Sequence, residues 1–245
     1  MGLPTLFIDN DGVLTDAYRM GPAYGIAYGE IMAPIYGGTV EAWAEANAVG
    51  FGLMMEWYRA NESRYDDATY FDDLYRVNLE GAFGHMGREL ISWEDEGRLL
   101  NRKLLFECPA RVSTLFPGAL ETVVALSKRG FRMHMASNAH SLHCEGTLAG
   151  AKMREHFVLA FGPDLVNLPV KSSEFYRRAC AHVGVLPEQA IVVDDNGDAL
   201  AMAAKAGART VFVDQGHTVH PPTTAPDATV ASIADLPAAI ASLRP

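Results

Sequence analysis

Two short apolar runs in this chain end in carboxylates, and together they constrain the fold more than any other feature. Leu6-Phe7-Ile8 stops at Asp9-Asn10-Asp11-Gly12, and Ile191-Val192-Val193 stops at Asp194-Asp195-Asn196-Gly197-Asp198, far down the 245-residue chain. Each run reads as a short buried strand, and the two-residue repeat of a strand projects Asp9 and Asp11 the same way from its carboxyl end. Asp, Asn and Gly are also the ordinary turn formers, so the first segment alone is divided between a turn and a site. The second cluster decides between them. If both strands lie in one parallel sheet, the acids meet at its carboxyl edge, where open α/β sheets bind ligands. Carboxylates gathered there repel one another unless a cation or a proton relieves them, and such an oxygen-rich edge suits Mg²⁺.

The rest of the chain supports a parallel sheet. From Phe116 onward, strand-like and helix-like segments alternate: helix Ala119 to Lys128 with Gly130 behind it, strand Phe131 to Ala136, helix Leu142 to Glu155, strand Phe157 to Phe161, and helix Glu174 to Val183. Strand Ala190 to Val193, helix Ala199 to Ala206, strand Thr210 to Val213, a Pro- and Thr-rich loop His220 to Asp227, and a short helix Leu236 to Leu243 complete it. Alternation at these intervals predicts βαβ units, hence a Rossmann-like, doubly wound α/β core. Residues 17–105 differ in character. They hold all three tryptophans and eight of the nine tyrosines, and the first lysine of the chain is Lys103. Apolar residues there recur at helical spacing, as in Leu53, Met54, Trp57 and Tyr58, over Val40 to Ala48, Gly52 to Arg59 and Asp72 to Glu80. The expected organisation is a core of residues 1–16 and 106–245 carrying a helical cap of residues 17–105.

Composition narrows the partners. With 20 basic against 30 acidic side chains the formal charge is −10, and no basic run exists, which argues against nucleic acid or an anionic membrane as the main partner. Cys108, Cys144 and Cys180 are odd in number and widely spaced, so reduced, packed thiols are expected rather than a disulfide framework. No secretory leader and no membrane-length apolar stretch is visible, so a cytoplasmic monomer or homodimer is expected. His140, His143 and Cys144 lie close together, but three residues on one helix are too few and badly angled for structural zinc.

Four segments in order resemble the four motifs of the haloacid dehalogenase superfamily of phosphohydrolases: Asp9-Asn10-Asp11-Gly12-Val13-Leu14-Thr15-Asp16, Met135-Ala136-Ser137-Asn138, Lys171 and Asp194-Asp195. The resemblance covers the chain outside the helical insert, whose position matches the family's cap. It implies that Asp9 is a nucleophile forming an aspartyl-phosphate and that Asp11 is the general acid and base. Ser137 and the Asn138 backbone would hold the phosphoryl group, with the Asn10 backbone lining the same cup. Lys171 would neutralise both phosphate and carboxylates. Mg²⁺ would be held by an Asp9 carboxylate oxygen, the Asp11 backbone carbonyl and Asp195, with Asp194 a further ligand or its hydrogen-bonded neighbour. Two departures stand out: Ser172 replaces the family's proline after the lysine, with the spacing to Phe175-Tyr176 one residue short, and Ala199 stands at a later acidic position. Asp198 is expected to be a helix N-cap.

The implied function is Mg²⁺-dependent hydrolysis of a small phosphorylated metabolite. Dehalogenase relatives lack an acid at the position of Asp11, and phosphonate hydrolases use a cap lysine where this cap has none before Lys103. A sugar phosphomutase would look very similar. A phosphate-binding regulatory module stands as the non-catalytic alternative.

Overall fold

The computed structural model describes residues 2–64, 69–90, 92–216 and 220–243. Six parallel strands form one sheet: β1 (Thr5–Ile8), β2 (Met133–Ala136), β3 (Leu159–Phe161), β4 (Ala190–Asp194), β5 (Arg209–Val213) and β6 (Ala228–Val230), in the order β3-β2-β1-β4-β5-β6. The order reverses between β1 and β4, and a doubly wound sheet opens its ligand crevice outside the carboxyl ends at such a switch point. β6 was not anticipated: its three residues sit just after the Pro- and Thr-rich loop.

Every residue of β1, β2 and β4 is buried, because helices cover both faces of the sheet. α5 (Ala119–Lys128), α6 (Ser141–Gly150) and α10 (Leu236–Ser242) belong to the face built around Leu6, Ile8, Met133, Met135, Ile191 and Val193. α8 (Ser173–His182) and α9 (Gly197–Ala206) cover the other, around Phe7, Ala136, Val192 and Phe212, and the four-residue α7 (Pro163–Val166) joins that side. His134 lies on this second face with no exposed surface, stacked on Phe7 at 5.3 Å, and neither ring nitrogen has a hydrogen-bond partner.

Among the described residues, four α-helices run between β1 and α5: α1 (Ala17–Tyr36), α2 (Val40–Ala60), α3 (Tyr70–His85) and α4 (Arg98–Ala110), the last preceded by a π-helical turn at Trp93–Gly97. Their own core gathers Tyr28, Met32, Trp43, Leu79, Phe83 and Leu104. Trp43 and Phe83 meet edge to face at 5.4 Å. α1 crosses α2 closely enough that a Cβ at Gly29 would stand 2.1 Å from the Val40 carbonyl oxygen. Tyr65, part of the aromatic belt of this segment, lies outside the described residues. Cys108, Cys144 and Cys180 are free and buried. Among the described residues no helix is long and apolar enough to cross a membrane.

Candidate active site

β1 and β4 run side by side, with Ile8 paired to Val193, and the Asp9 amide continues the ladder by donating to the Val193 carbonyl at 2.9 Å. The chain therefore leaves the sheet at Asp9 and at Asp194-Asp195 together. Lys171 reaches into this gap from the loop before α8: its Nζ is 2.7 Å from Asp9 Oδ1 and 2.8 Å from Asp194 Oδ2. All three side chains are buried, with at most 9% exposure. The lysine is fixed by its neighbours. Its amide donates to Asn138 Oδ1 at 3.0 Å, so the segment after β2 anchors it, and Ser172 Oγ caps α8 by accepting from the Phe175 amide at 3.2 Å. Serine at 172 thus supplies the helix start, and the lysine still meets the acids despite the shortened spacing.

The charges in this gap do not balance. Asp9, Asp194 and Asp195 can offer oxygens that all lie within 4.8 Å of one another, against one ammonium. Burial, and next the charge of Asp194, holds the Asp9 carboxyl well above the usual carboxylate range, while Lys171 only partly opposes them. Burial and Asp194 also push Asp195 up to about 6. For Lys171 burial disfavours the ammonium, but Asp194 and Asp9 outweigh it and keep it charged. Although Lys171 lies close to Asp9 Oδ1, it is off the direction of a hydrogen bond, so that buried oxygen has no directed donor. An all-oxygen cluster with surplus negative charge, its one ammonium shared between two buried carboxylates, fits a hard divalent cation.

The loop after Asp9 is built from its own side chains. The Asn10 carbonyl accepts from the Leu14 and Thr15 amides, and Asp11 Oδ1 accepts from Thr15 Oγ1 at 3.1 Å and from Asn10 Nδ2 at 3.2 Å. Asn10 is fully buried, and its side chain serves Asp11 and Thr15. Gly12 has φ +85°, and a Cβ there would fall 2.0 Å from Asp195 Oδ2, so the two acidic segments touch where only glycine fits. Gln215, just beyond β5, clamps the loop: Nε2 donates to the Gly12 carbonyl at 3.0 Å and the Val13 carbonyl at 3.1 Å, and Oε1 accepts from the Ile233 amide. Sequence reading missed Gln215, and its only signal was a polar residue at the carboxyl end of a strand.

Ser137 follows β2, next to β1 in the sheet. It is buried, its amide donates to the Phe161 carbonyl at 3.0 Å, and its Oγ accepts from the Ala139 amide at 3.1 Å. Asp198 does not cap α9: Asn196 Oδ1 accepts from the Asp198 and Ala199 amides, and Asp198 is exposed, 3.8 Å from His220 and outside the acidic cluster. The His140–Cys144 segment faces the helical layer. His143 stacks on Tyr24 of α1 at 5.7 Å, and Tyr75 of α3 meets His140 edge-on at 5.1 Å. Burial lowers the pKa of both histidines, opposed by Asp11 at His143 and by Asp164 at His140. A cavity of about 280 Å³ opens onto the acids between Asp11, Asp16, Tyr18, Phe116, Asp195 and His220. A larger groove of about 590 Å³ between α2 and α3 is lined by Leu53, Trp57 and Val77 and holds none of the converging acids.

The family model for haloacid dehalogenase-like hydrolases matches residues 3–207. The chain belongs to the haloacid dehalogenase-like hydrolases. Within the superfamily its likenesses divide. It is 28% identical over 123 residues to a phosphoserine phosphatase of Thermus thermophilus, a match spanning 50% of this chain and 49% of that relative. The 2-haloacid dehalogenase of Pseudomonas syringae superposes with TM-score 0.70 at 17% identity, covering 99% of this chain and 100% of that one. The L-2-haloacid dehalogenase of Xanthobacter autotrophicus, solved with chloropropionic acid covalently bound, gives TM-score 0.62 at 18% identity over 99% and 100% of the two chains. A superfamily hydrolase of Bacillus subtilis solved bound to magnesium gives 0.63 at 16% identity over 98% and 99%. At these identities the structural likenesses show the fold alone.

Proposed function

We propose that this hydrolase cleaves a small phosphate monoester through a phosphorylated Asp9. The observation that carries the reading is the convergence of Asp9, Asp194 and Asp195 beside Lys171, which leaves surplus negative charge for a divalent cation to offset. An Asp9 carboxylate oxygen attacks phosphorus, and the ester oxygen departs with a proton from Asp11. Asp11 then takes a proton from water, whose oxygen attacks the same phosphorus and releases inorganic phosphate and Asp9. The backbone around Asn10 and Asn138 and the Ser137 hydroxyl would cradle the phosphoryl oxygens. Lys171, held by Asn138, would offset their charge. Mg²⁺ would be held by the carboxylates of Asp9 and Asp195 and the Asp11 carbonyl, with Asp194 beside them. When bound it neutralises the acids, keeping Asp9 ionised, and offsets charge on the phosphoryl group.

The Thermus relative's name is consistent with phosphomonoester chemistry, and the names of two structural neighbours supply a second reading to test, displacement of halide from a 2-haloacid. Asp11 weighs against that reading, because the resemblance assigns an acid there to phosphatases. A direct comparison separates the two. Release of phosphate from p-nitrophenyl phosphate and a panel of phosphorylated metabolites, and of chloride from 2-chloropropionate, is measured with Mg²⁺ and with a chelator. Mg²⁺-dependent phosphate release without chloride release is expected, and chelator-resistant chloride release would establish the dehalogenase instead.

A further inference from the structure

The loop that leaves β2 carries Ser137 and Asn138, and its shape is held from the neighbouring strand. Asp164, the second residue of α7, turns its carboxylate back toward that loop: Oδ1 accepts from the Ser141 amide at 2.8 Å and Oδ2 from the Ser141 hydroxyl at 2.5 Å. Both bonds fall on the first residue of α6. His140 Nδ1 stands 3.5 Å from Asp164 Oδ2, but that nitrogen accepts from the Leu142 amide, so Ser141 is the partner the carboxylate holds. The two segments also touch through their backbones. A Cβ at Gly162 would lie 2.4 Å from the Ala139 carbonyl oxygen and 2.4 Å from the Ser141 nitrogen. The Ser137 amide donates to the Phe161 carbonyl and the Ala139 amide to Ser137 Oγ, so the chain is fixed on both sides of the Asn138 amide.

We propose that Asp164 is a positioning residue for phosphoryl transfer: through Ser141 it holds the loop of residues 137–141 so that the Ser137 hydroxyl and the Asn138 amide meet the phosphoryl group in register with Lys171. The proposal rests on the phosphate-monoester reading above. Asp164 acts at one remove, because its bonds go to Ser141, while Asn138 Oδ1 in the same loop accepts from the Lys171 amide at 3.0 Å. Ser137 Oγ already accepts from the Ala139 amide, which leaves its own proton to donate to a phosphoryl oxygen. Losing the carboxylate frees the start of α6, and a drift of about 1 Å at a phosphoryl-binding group costs on the order of a hundredfold in rate. A carboxylate that only started a helix would affect stability alone. Asp227 is the matched control: its Oδ2 accepts from the Thr210 amide at 2.7 Å and from the Thr210 hydroxyl at 3.2 Å. It makes the same pair of bonds, but it precedes β6 and so sits at the amino edge of the sheet, opposite the acids.

The test measures, on the full chain with Mg²⁺, kcat/KM for p-nitrophenyl phosphate, inhibition by inorganic phosphate, and thermal unfolding. Asp164→Ala is expected to lose about thirtyfold in kcat/KM and to weaken phosphate inhibition about tenfold. Asp227→Ala should lower the unfolding temperature by a similar amount with kcat/KM within about twofold of wild type. Asp164→Asn keeps an acceptor for the Ser141 amide and offers its Nδ2 to the Ser141 hydroxyl, so it should restore kcat/KM to within about threefold. On a Ser137→Ala background, Asp164→Ala should cost only about threefold more, because part of what it positions is already gone. Should Asp164→Ala fail to fold, Ser141→Ala removes the hydroxyl bond alone and carries the same test, with an expected loss of about threefold that vanishes on the Ser137→Ala background. Wild-type kinetics in Asp164→Ala with only the unfolding temperature lowered would overturn the proposal. So would equal rate losses in Asp164→Ala and Asp227→Ala, or losses that multiply in full with Ser137→Ala. If wild type hydrolyses no phosphate ester at all, the phosphate-monoester reading fails and takes this one with it.

Discussion

The Asp195 carboxylate occupies the position that a Cβ on residue 12 would take, with Oδ2 2.0 Å from it. Two acidic segments more than 180 residues apart in sequence thus interlock at one glycine. Gly12→Ala adds the clash to a backbone with φ +85°, so either the loop or Asp195 must move. A displacement of about 1 Å at a reacting group costs on the order of a hundredfold in rate. The variant is expected to lose about that much kcat while still folding. Unchanged kinetics would show that Asp195 need not stand where it does.

Lys171 links Asp9 and Asp194 and, among the described residues, carries the one positive charge inside the cluster. Lys171→Met is expected to lower stability by about 3–5 kcal/mol by leaving buried carboxylates unpaired, and to abolish turnover. Asn138→Ala, which frees the lysine's amide, gives a milder version: a kcat loss of about tenfold with KM nearly unchanged. Denaturant unfolding and steady-state kinetics measure both. Lys171→Met as stable as wild type would mean that the acids are relieved in another way.

Gln215 offers a cleaner probe of the loop after Asp9 because it does not touch the acids. Gln215→Ala removes two hydrogen bonds to the Gly12 and Val13 carbonyls. A stability cost of about 1 kcal/mol and a kcat loss of about tenfold are expected. A stability loss without the rate loss would confine its role to packing.

His134 sets an acid limit on stability. Burial, then Arg132 and His182, lowers its pKa to about 4. An unfolded histidine titrates near 6.5, so the unfolded chain binds the extra proton first as pH falls. The stability held by neutral His134 is full above about pH 6.5 and is lost between there and about pH 4. At pH 5 that loss is about 2 kcal/mol relative to pH 8. His134→Phe, whose ring can keep the stacking on Phe7, should flatten the pH dependence of unfolding by that amount. An unchanged slope would exonerate His134.

The strand-then-acid edges were legible because each is a local pattern: three apolar residues, then carboxylates and glycine. The alternation after Phe116 was legible for the same reason, and it yields the parallel sheet. Contacts made far along the chain were not. α1 carries Pro22 and Pro34 together with Gly21, Gly25 and Gly29, residues that weaken a helix interior. Tertiary packing overrides this, since Gly25 and Gly29 let α1 lie against α2. α2 runs unbroken through Gly50 and Gly52, where two segments were expected, because a Cβ at Gly50 would meet the Asn78 carbonyl oxygen of α3 at 2.3 Å. Asn196 rather than Asp198 caps α9. In the site, the acids stood out as residue types, and Lys171 only through its place among the four motifs of the resemblance. The Asn138 grip on Lys171 and the Gln215 clamp depend on distances that sequence spacing does not encode.

The proposed mechanism stands or falls on Asp9 carrying the phosphoryl group. Protein quenched in acid during turnover of a phosphate ester with Mg²⁺, then digested and weighed peptide by peptide, tests it directly. One phosphoryl group is expected on the peptide containing Asp9, absent without Mg²⁺ and absent in Asp9→Asn, which folds but does not turn over. Phosphate release by Asp9→Asn at the wild-type rate, or a phosphoryl group on any other residue, would contradict it.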